Sequence, residues 1–179
     1  EISQDGVLTF FSAPDYETQN TYTATVTATD TNSNSSTQNI TVNVTNVNDV
    51  APVFTSSATF SAEENQTSIG TVTAADVDSS SLTFSVSGSE LAITSGGVLS
   101  FVSAPDYETK SSYSFRIKTT DSVGFSYEEA VTFNVNDLID ETPTDVSLSS
   151  SSFDENIDSG SVVASLSTTD EDTSDTHNY

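Results

Sequence analysis

The chain has 179 residues, enough for about one to two domains, and carries 3 basic against 27 acidic side chains, a formal net charge of −24. With no basic patch to meet phosphate or anionic lipid, this argues against binding to nucleic acid or to a membrane surface. It has no Cys, so no disulfide framework and no thiol chemistry, and no apolar run long enough to span a membrane. Self-repulsion on this scale destabilises a compact state unless cations offset it. A secreted domain without disulfides needs another staple, of which metal is one. The sequence does not begin with Met and shows no signal peptide, so it is expected to be a piece of a longer protein.

In chain order, the first feature is SAPDYET at Ser12–Thr18, which returns at Ser103–Thr109, an offset of 91 residues. Aligning Gly6–Asp30 on Gly97–Asp121 gives 14 identities in 25 positions, the mark of a tandem repeat of domain size. Thr21–Ala28 (TYTATVTA) follows with strict alternation, and Asn39–Val44 (NITVNV) repeats the pattern. Such alternation is that of half-buried antiparallel strands. The second repeat is whole, with strands expected at Val53–Phe60, Ser68–Ala75, Leu82–Ser87, Glu90–Thr94, Val98–Val102, Tyr113–Asp121 and Tyr127–Asn136. Seven strands with turn signals between them predict an all-β, Greek-key β-sandwich. The first repeat, 1–49, has only the later strands. The third, 141–179, has only the early ones. Boundaries fall at Asn46–Pro52 and Asp137–Pro143, where acid-rich linkers run into Pro.

Acidic residues recur at strand ends and in linkers, in register between repeats. Clustered carboxylates with carbonyl oxygens are hard-cation ligands, and 6–8 oxygens per ion suit Ca²⁺. Solvated loop acids and turn caps explain an isolated pair such as Asp170 and Asp172. They do not explain placement in register.

These residues resemble the cadherin family. TNVNDVAPVF (Thr45–Phe54) is similar to the linker pattern DxNDNAPxF. SAEEN (Ser61–Asn65) and FDEN (Phe153–Asn156) resemble the xEx segment, and PDYE (Pro14–Glu17, Pro105–Glu108) the DRE or DYE motif. ADVD (Ala75–Asp78) and TDED (Thr169–Asp172) resemble DxD, while TATD (Thr27–Asp30) and KTTD (Lys118–Asp121) match the later Asp motif. The Thr-rich, cysteine-free, acidic style is closer to the cadherin-like repeats of large bacterial surface adhesins than to animal cadherins. The resemblance implies domains at 1–49, 50–140 and 141–179 and a Ca²⁺ cluster at each junction. At the first junction it implies Asp15, Glu17, Asn46, Asn48 and Asp49, then Asp76, Asp78 and Asp121, with the carbonyls of Val47 and Val50. At the second it implies Glu64, Asp106, Glu108, Asp137, Leu138 and Asp140, then Asp170 and Asp172. Glu64 is preferred to Glu63, because the family's Glu precedes Asn. Asn46 stands where the pattern has Asp, and Ile139 stands where Asn48 does in the first linker. Ile cannot ligate, which puts one ion of the second junction in question.

Other chemistries fare worse. Glycosidase carboxylates need a sugar cleft, which thin sandwiches with no suggested aromatic subsites do not offer. His177 is the only His, near the chain end and expected to be exposed, which argues against a Ser-His-Asp triad. Tyr16 and Tyr107 are expected to pack above the metal loop. Four glycosylation sequons start at Asn34, Asn39, Asn43 and Asn65, in a composition where chance matches arise. The regular threonines of Thr21–Thr27 fit ordinary exposed strand positions better than an ice-ordering surface. A carbohydrate-binding sandwich would want an aromatic platform, and Trp is absent.

The expectation is an extracellular, non-enzymatic, Ca²⁺-stiffened stalk or adhesion segment of a cell-surface protein. Its partners would be Ca²⁺, neighbouring domains of the array and other copies of itself. A head-to-tail filament built through the incomplete end repeats is the alternative, weakened because the composite domain would lack a strand equivalent to Leu82–Ser87. The residues do not choose between homophilic adhesion, a host glycan held by another domain, and pure spacing.

Overall fold

Alternating apolar residues along the chain become thirteen strands in the computed structural model, which describes residues 1–172 and 175–179 and has no helix among them. The strands before the second linker are β1 (Thr21–Thr29), β2 (Ser35–Asn43), β3 (Val53–Phe54), β4 (Thr59–Glu63), β5 (Ser68–Thr71), β6 (Ala74–Ala75), β7 (Thr83–Val86), β8 (Leu91–Ile93), β9 (Val98–Phe101), β10 (Ser112–Thr120) and β11 (Ser126–Asn136). After that linker come β12 (Asp145–Leu148) and β13 (Leu166–Thr169). The chain divides into two compact units: Glu1–Phe54 with Ala74–Thr83 and Thr119–Tyr127, and Thr55–Thr73 with Phe84–Lys118 and Glu128–Tyr179.

In the first unit, β1 and β2 form an antiparallel hairpin from Thr21↔Asn43 to Thr29↔Ser35. Its turn is closed by Asp30, whose Oδ1 accepts from the Asn32 and Asn34 backbone N–H groups. β3 pairs antiparallel with β6, Val53↔Ala75 and Phe54↔Ala74.

The second unit holds the hydrophobic core. One sheet runs β4-β11-β10-β7 and another β5-β9-β8. They face each other through Phe101 on β9 and Phe133 on β11, with ring centroids 4.7 Å apart at 85°. Tyr113 on β10 meets Phe101 edge-on at 5.0 Å. Period-2 alternation places Phe115 and Ile117 of β10, and Val131, Phe133 and Val135 of β11, in the buried layer with Leu91, Leu99 and Val72. Gly97 closes the β8–β9 turn at φ +86°, where an added Cβ would lie 2.2 Å from the Val72 carbonyl oxygen. Only glycine fits there.

Two expected strands are broken. The Thr55 and Ser56 N–H groups both donate to the Thr73 carbonyl (2.8 and 3.2 Å), so two residues face one and the strand is interrupted. Beyond the break, β4 pairs parallel with β11, Thr59↔Thr132 to Glu63↔Asn136. The second strand breaks at Val72–Thr73, where Val72 N–H donates to Gly97 and Thr73 N–H to the Ser56 hydroxyl. The parallel pairing carries the chain from β4 into Glu64, beside the end of β11: Glu64 N–H donates to the Asn136 carbonyl at 3.1 Å.

Candidate metal centres

The first set of acids gathers within the first unit. Asp15 opens the PDYET turn. Its Oδ1 accepts from the Glu17 and Thr18 N–H groups (3.0 and 3.3 Å) and its Oδ2 from the Thr18 hydroxyl (2.8 Å), which holds its carboxyl below the usual range. Asp78 reaches back to the linker, its Oδ2 accepting from Asp49 N–H at 2.8 Å and Val50 N–H at 2.9 Å. Asp76 turns Oδ1 to the Asp78 and Ser79 N–H groups (3.1 and 3.2 Å). Its proton affinity rises, chiefly through the adjacent Asp78 carboxyl and then through burial. Asp121, 7% exposed, satisfies one oxygen with three N–H groups, from Val123, Gly124 and Phe125. The other oxygen of each of these three acids, Asp76 Oδ2, Asp78 Oδ1 and Asp121 Oδ2, is buried without a hydrogen-bond partner, as is Asn48 Oδ1. Glu17 is pushed up by partial burial and then by the charge of Asp49. Asn46 and Val47 are exposed.

The second set gathers within the second unit and is tighter. Glu64 is 2% exposed while Glu63 lies in the open. Glu64 Oε2 accepts from Tyr107 N–H at 2.7 Å and Oε1 from Leu138 N–H at 2.8 Å, tying the PDYET turn to the second linker. Tyr107 itself is half-buried. Asn65, at φ +60°, follows Glu64 and donates through Nδ2 to Asp140 Oδ2 at 2.5 Å. Asp172, 1% exposed, accepts on Oδ2 from the Asp140 and Glu141 N–H groups, both at 2.8 Å. Asp172 Oδ1, Glu108 Oε2 and Glu141 Oε2 are buried without partners. Two triads share Glu108: Glu64–Glu108–Asp137 and Glu108–Glu141–Asp172, each with one oxygen per residue within 4.8 Å of the others. Among the described residues, no such carboxylate triad occurs in the first set.

Crowding shows in the protonation of these groups. Glu108 is pushed up by burial and then by the charges of Glu64, Asp137 and Asp172. Asp137 is pushed up by burial and then by Asp172, Glu64 and Asp140. Glu141 is pushed up to about 7 by its hydrogen bond to the Asp140 carboxyl, then by burial and by its anionic neighbours. Buried carboxylate oxygens without a donor or a cation are costly, and native structures seldom leave them so. The donors are oxygens throughout, the chemistry of a hard cation such as Ca²⁺ and not of a soft metal. The residues present therefore fit that ion.

The remaining expected ligands are placed differently. Asp106 is engaged by Thr109, through its N–H at 3.0 Å and its hydroxyl at 2.7 Å, and joins no triad. Asp170 gives Oδ1 to Asp172 N–H at 3.2 Å, and its Oδ2 sits 2.8 Å from His177 Nε2. His177 is thus partly buried against an acid instead of exposed as its terminal position suggests. Ile139 is exposed. Glu141 is the residue that the motif comparison missed. It stands 91 residues after Val50, where an acid replaces an apolar side chain, and that substitution was its only signal.

No family model and no curated protein matches the chain. Solved structures do. The chain aligns over 96% of its length with the protocadherin GammaB4 extracellular domain at 29% identity and TM-score 0.69, spanning 30% of that chain. It aligns over 72% of its length with the protocadherin gammaB7 EC3-6 cis-dimer structure at 31% identity and TM-score 0.62, spanning 36% of that chain. The fold is cadherin-like. Chicken VE-cadherin EC1-2 extends the similarity beyond protocadherins, at 25% identity and TM-score 0.55, with 71% of this chain and 72% of that one covered. In this cadherin-like chain the two acid sets sit at strand ends and linkers, and the sheet faces carry the packing.

Proposed function

We propose that the chain is a Ca²⁺-binding, Ca²⁺-rigidified segment of an extracellular adhesion or stalk array, with cadherin-like domains at 1–49, 50–140 and 141–179. It works by binding and spacing, not by catalysis. The carrying observation is the set of buried, partnerless oxygens on Asn48, Asp76, Asp78 and Asp121, and on Glu108, Glu141 and Asp172. Each set draws on residues to both sides of a linker, so an ion held there would tie neighbouring domains together. Asp49, Asp78, Asp76, Asp121, Glu17 and Asn48 would hold the first group of ions. Glu64, Glu108, Asp137, Asp140 and Asp172 would hold the second. When bound, Ca²⁺ supplies positive charge that offsets carboxylate repulsion. The chain's own part is to present the oxygens: Asp78 and Asp172 are aimed by linker N–H groups, and Glu64 by Tyr107 and Leu138.

Affinity should be on the order of 10⁻⁴–10⁻³ M, the range of extracellular modules. One of the similar structures is described as a cis-dimer, which supports further copies of the chain as partners. The Thr-rich, cysteine-free composition favours a bacterial surface adhesin as the setting. Calorimetric Ca²⁺ titration of the full chain, with X-ray scattering in Ca²⁺ and in EDTA, tests the reading. Bound Ca²⁺ and a smaller radius of gyration without EDTA are expected. No heat of binding and superimposable scattering curves would sink it.

A further inference from the structure

The two linkers, Asn46–Pro52 and Asp137–Pro143, differ at five positions; besides Asp137 for Asn46, two of the changes alter the carboxylate and amide oxygens on offer. Asn48 becomes Ile139 and Val50 becomes Glu141. The first change removes a side-chain oxygen that is buried and partnerless in the first set. The second adds one, for Glu141 Oε2 is also buried and partnerless. Ile139 points no oxygen anywhere and is exposed. Glu141 instead lies with one carboxylate oxygen within 4.8 Å of oxygens from Glu108 and Asp172. A group of acids alone would say little. Here Asp172 is 1% exposed, its Oδ2 is consumed by two linker N–H groups, one of them from Glu141 itself, and its Oδ1 is left buried with nothing to bind.

We infer that Glu141 is a cation ligand of the second centre, replacing with a carboxylate the amide oxygen lost at Ile139 and making this centre the tighter of the two for Ca²⁺. The inference rests on the proposed Ca²⁺ reading and adds to it an unequal pair of sites. Ligand charge count is a principal control of Ca²⁺ affinity in oxygen cages. The exchange of a neutral amide for an anion raises that count at the second centre. It also turns the side chain at the linker's fifth position, apolar in the first linker, into a ligand.

The test is calorimetric Ca²⁺ titration of the full chain as wild type, Glu141→Val and Glu141→Gln, each repeated with Asp78→Asn to suppress the first centre. Glu141→Val installs the residue the first linker uses at this register. It should weaken the tighter class of sites by about tenfold or remove one ion. Glu141→Gln keeps the shape and an oxygen and should fall between. In the Asp78→Asn background the same loss should persist, because it belongs to the other centre. Metal-free melting of each variant reports folding, and the Gln variant stands in should the Val variant not fold. Wild-type affinity and stoichiometry in both Glu141 variants would overturn the inference while leaving the Ca²⁺ reading intact. Absence of Ca²⁺ binding in the wild type would instead remove the parent reading.

Discussion

Tyr22–Thr29 and Tyr113–Thr120 are the same strand at an offset of 91 residues, yet they meet different surroundings. In β10, Phe115, Ile117 and Thr119 are buried. Their counterparts in β1 are Ala24, Val26 and Ala28, all partly or fully exposed. Facing them, β11 buries Val131, Phe133 and Val135, whereas Ile40 and Val42 of β2 stay half-exposed over an apolar groove with Leu8 and Phe10. The turns repeat this contrast. Gly6 and Gly97 share a positive φ, +79° and +86°, but a Cβ at Gly6 would meet nothing within 4 Å. Asp30 and Asp121 both cap the loop after their strand, and only Asp121 keeps a buried oxygen without a partner. Backbone pattern is thus local and repeats faithfully, while burial and unmet valence depend on what lies opposite.

The largest test of that contrast is in the core. Phe133→Ala should destabilise the protein by about 3–5 kcal/mol, against well under about 1 kcal/mol for Val42→Ala, read by denaturant unfolding. Equal losses would mean the first repeat is as well buried as the second. Next is the glycine pair. Gly6→Ala carries only the left-handed strain of roughly 1 kcal/mol, whereas Gly97→Ala adds a collision with the Val72 carbonyl and should cost at least roughly 2 kcal/mol. Equal melting temperatures in the two variants would contradict the close approach.

A smaller effect is expected at the paired aspartates. Asp121→Asn should reduce Ca²⁺ affinity at the first centre by a few-fold, and Asp30→Asn should leave the titration curve unchanged. A comparable loss in both would place a cation at the hairpin turn too. The smallest effect is the dependence on pH. Glu141 rises from an ordinary 4.5 to about 7, and Glu17, Asp76, Glu108 and Asp137 also shift upward. Between 4.5 and about 7 the folded, metal-free protein retains a proton at Glu141 that the unfolded chain has released. That contribution to stability is full below 4.5 and is lost as pH rises through about 7. In EDTA the melting temperature should therefore fall across this interval, and excess Ca²⁺ should flatten the fall by favouring the ionised acids. A metal-free melting temperature that climbed instead would reverse the assignment, and Glu141→Gln should reduce the slope.

Much of this was legible in one dimension. The repeat offset is plain in the letters, and the period-2 runs of β10 and β11 are set by short-range rules of side-chain direction. Glu64, preferred to Glu63 because Asn follows it, is the buried member of the pair. The breaks within the first two strands of the middle repeat were not legible. They depend on Ser56 and Thr73 meeting across 17 residues and on β11 offering a parallel partner to β4. Nor was the capture of Asp170 by His177, nor the approach of Glu141 to Glu108 and Asp172.

By itself the amino-acid sequence determined an all-β tandem array with acids in register at strand ends, because alternation and turn chemistry act over a few residues. Tertiary structure alone decided which carboxylate oxygens are consumed by backbone N–H groups and which are left buried and free. That choice is made by groups distant in the chain, as when Asp172 turns one oxygen to the linker and leaves the other without a partner.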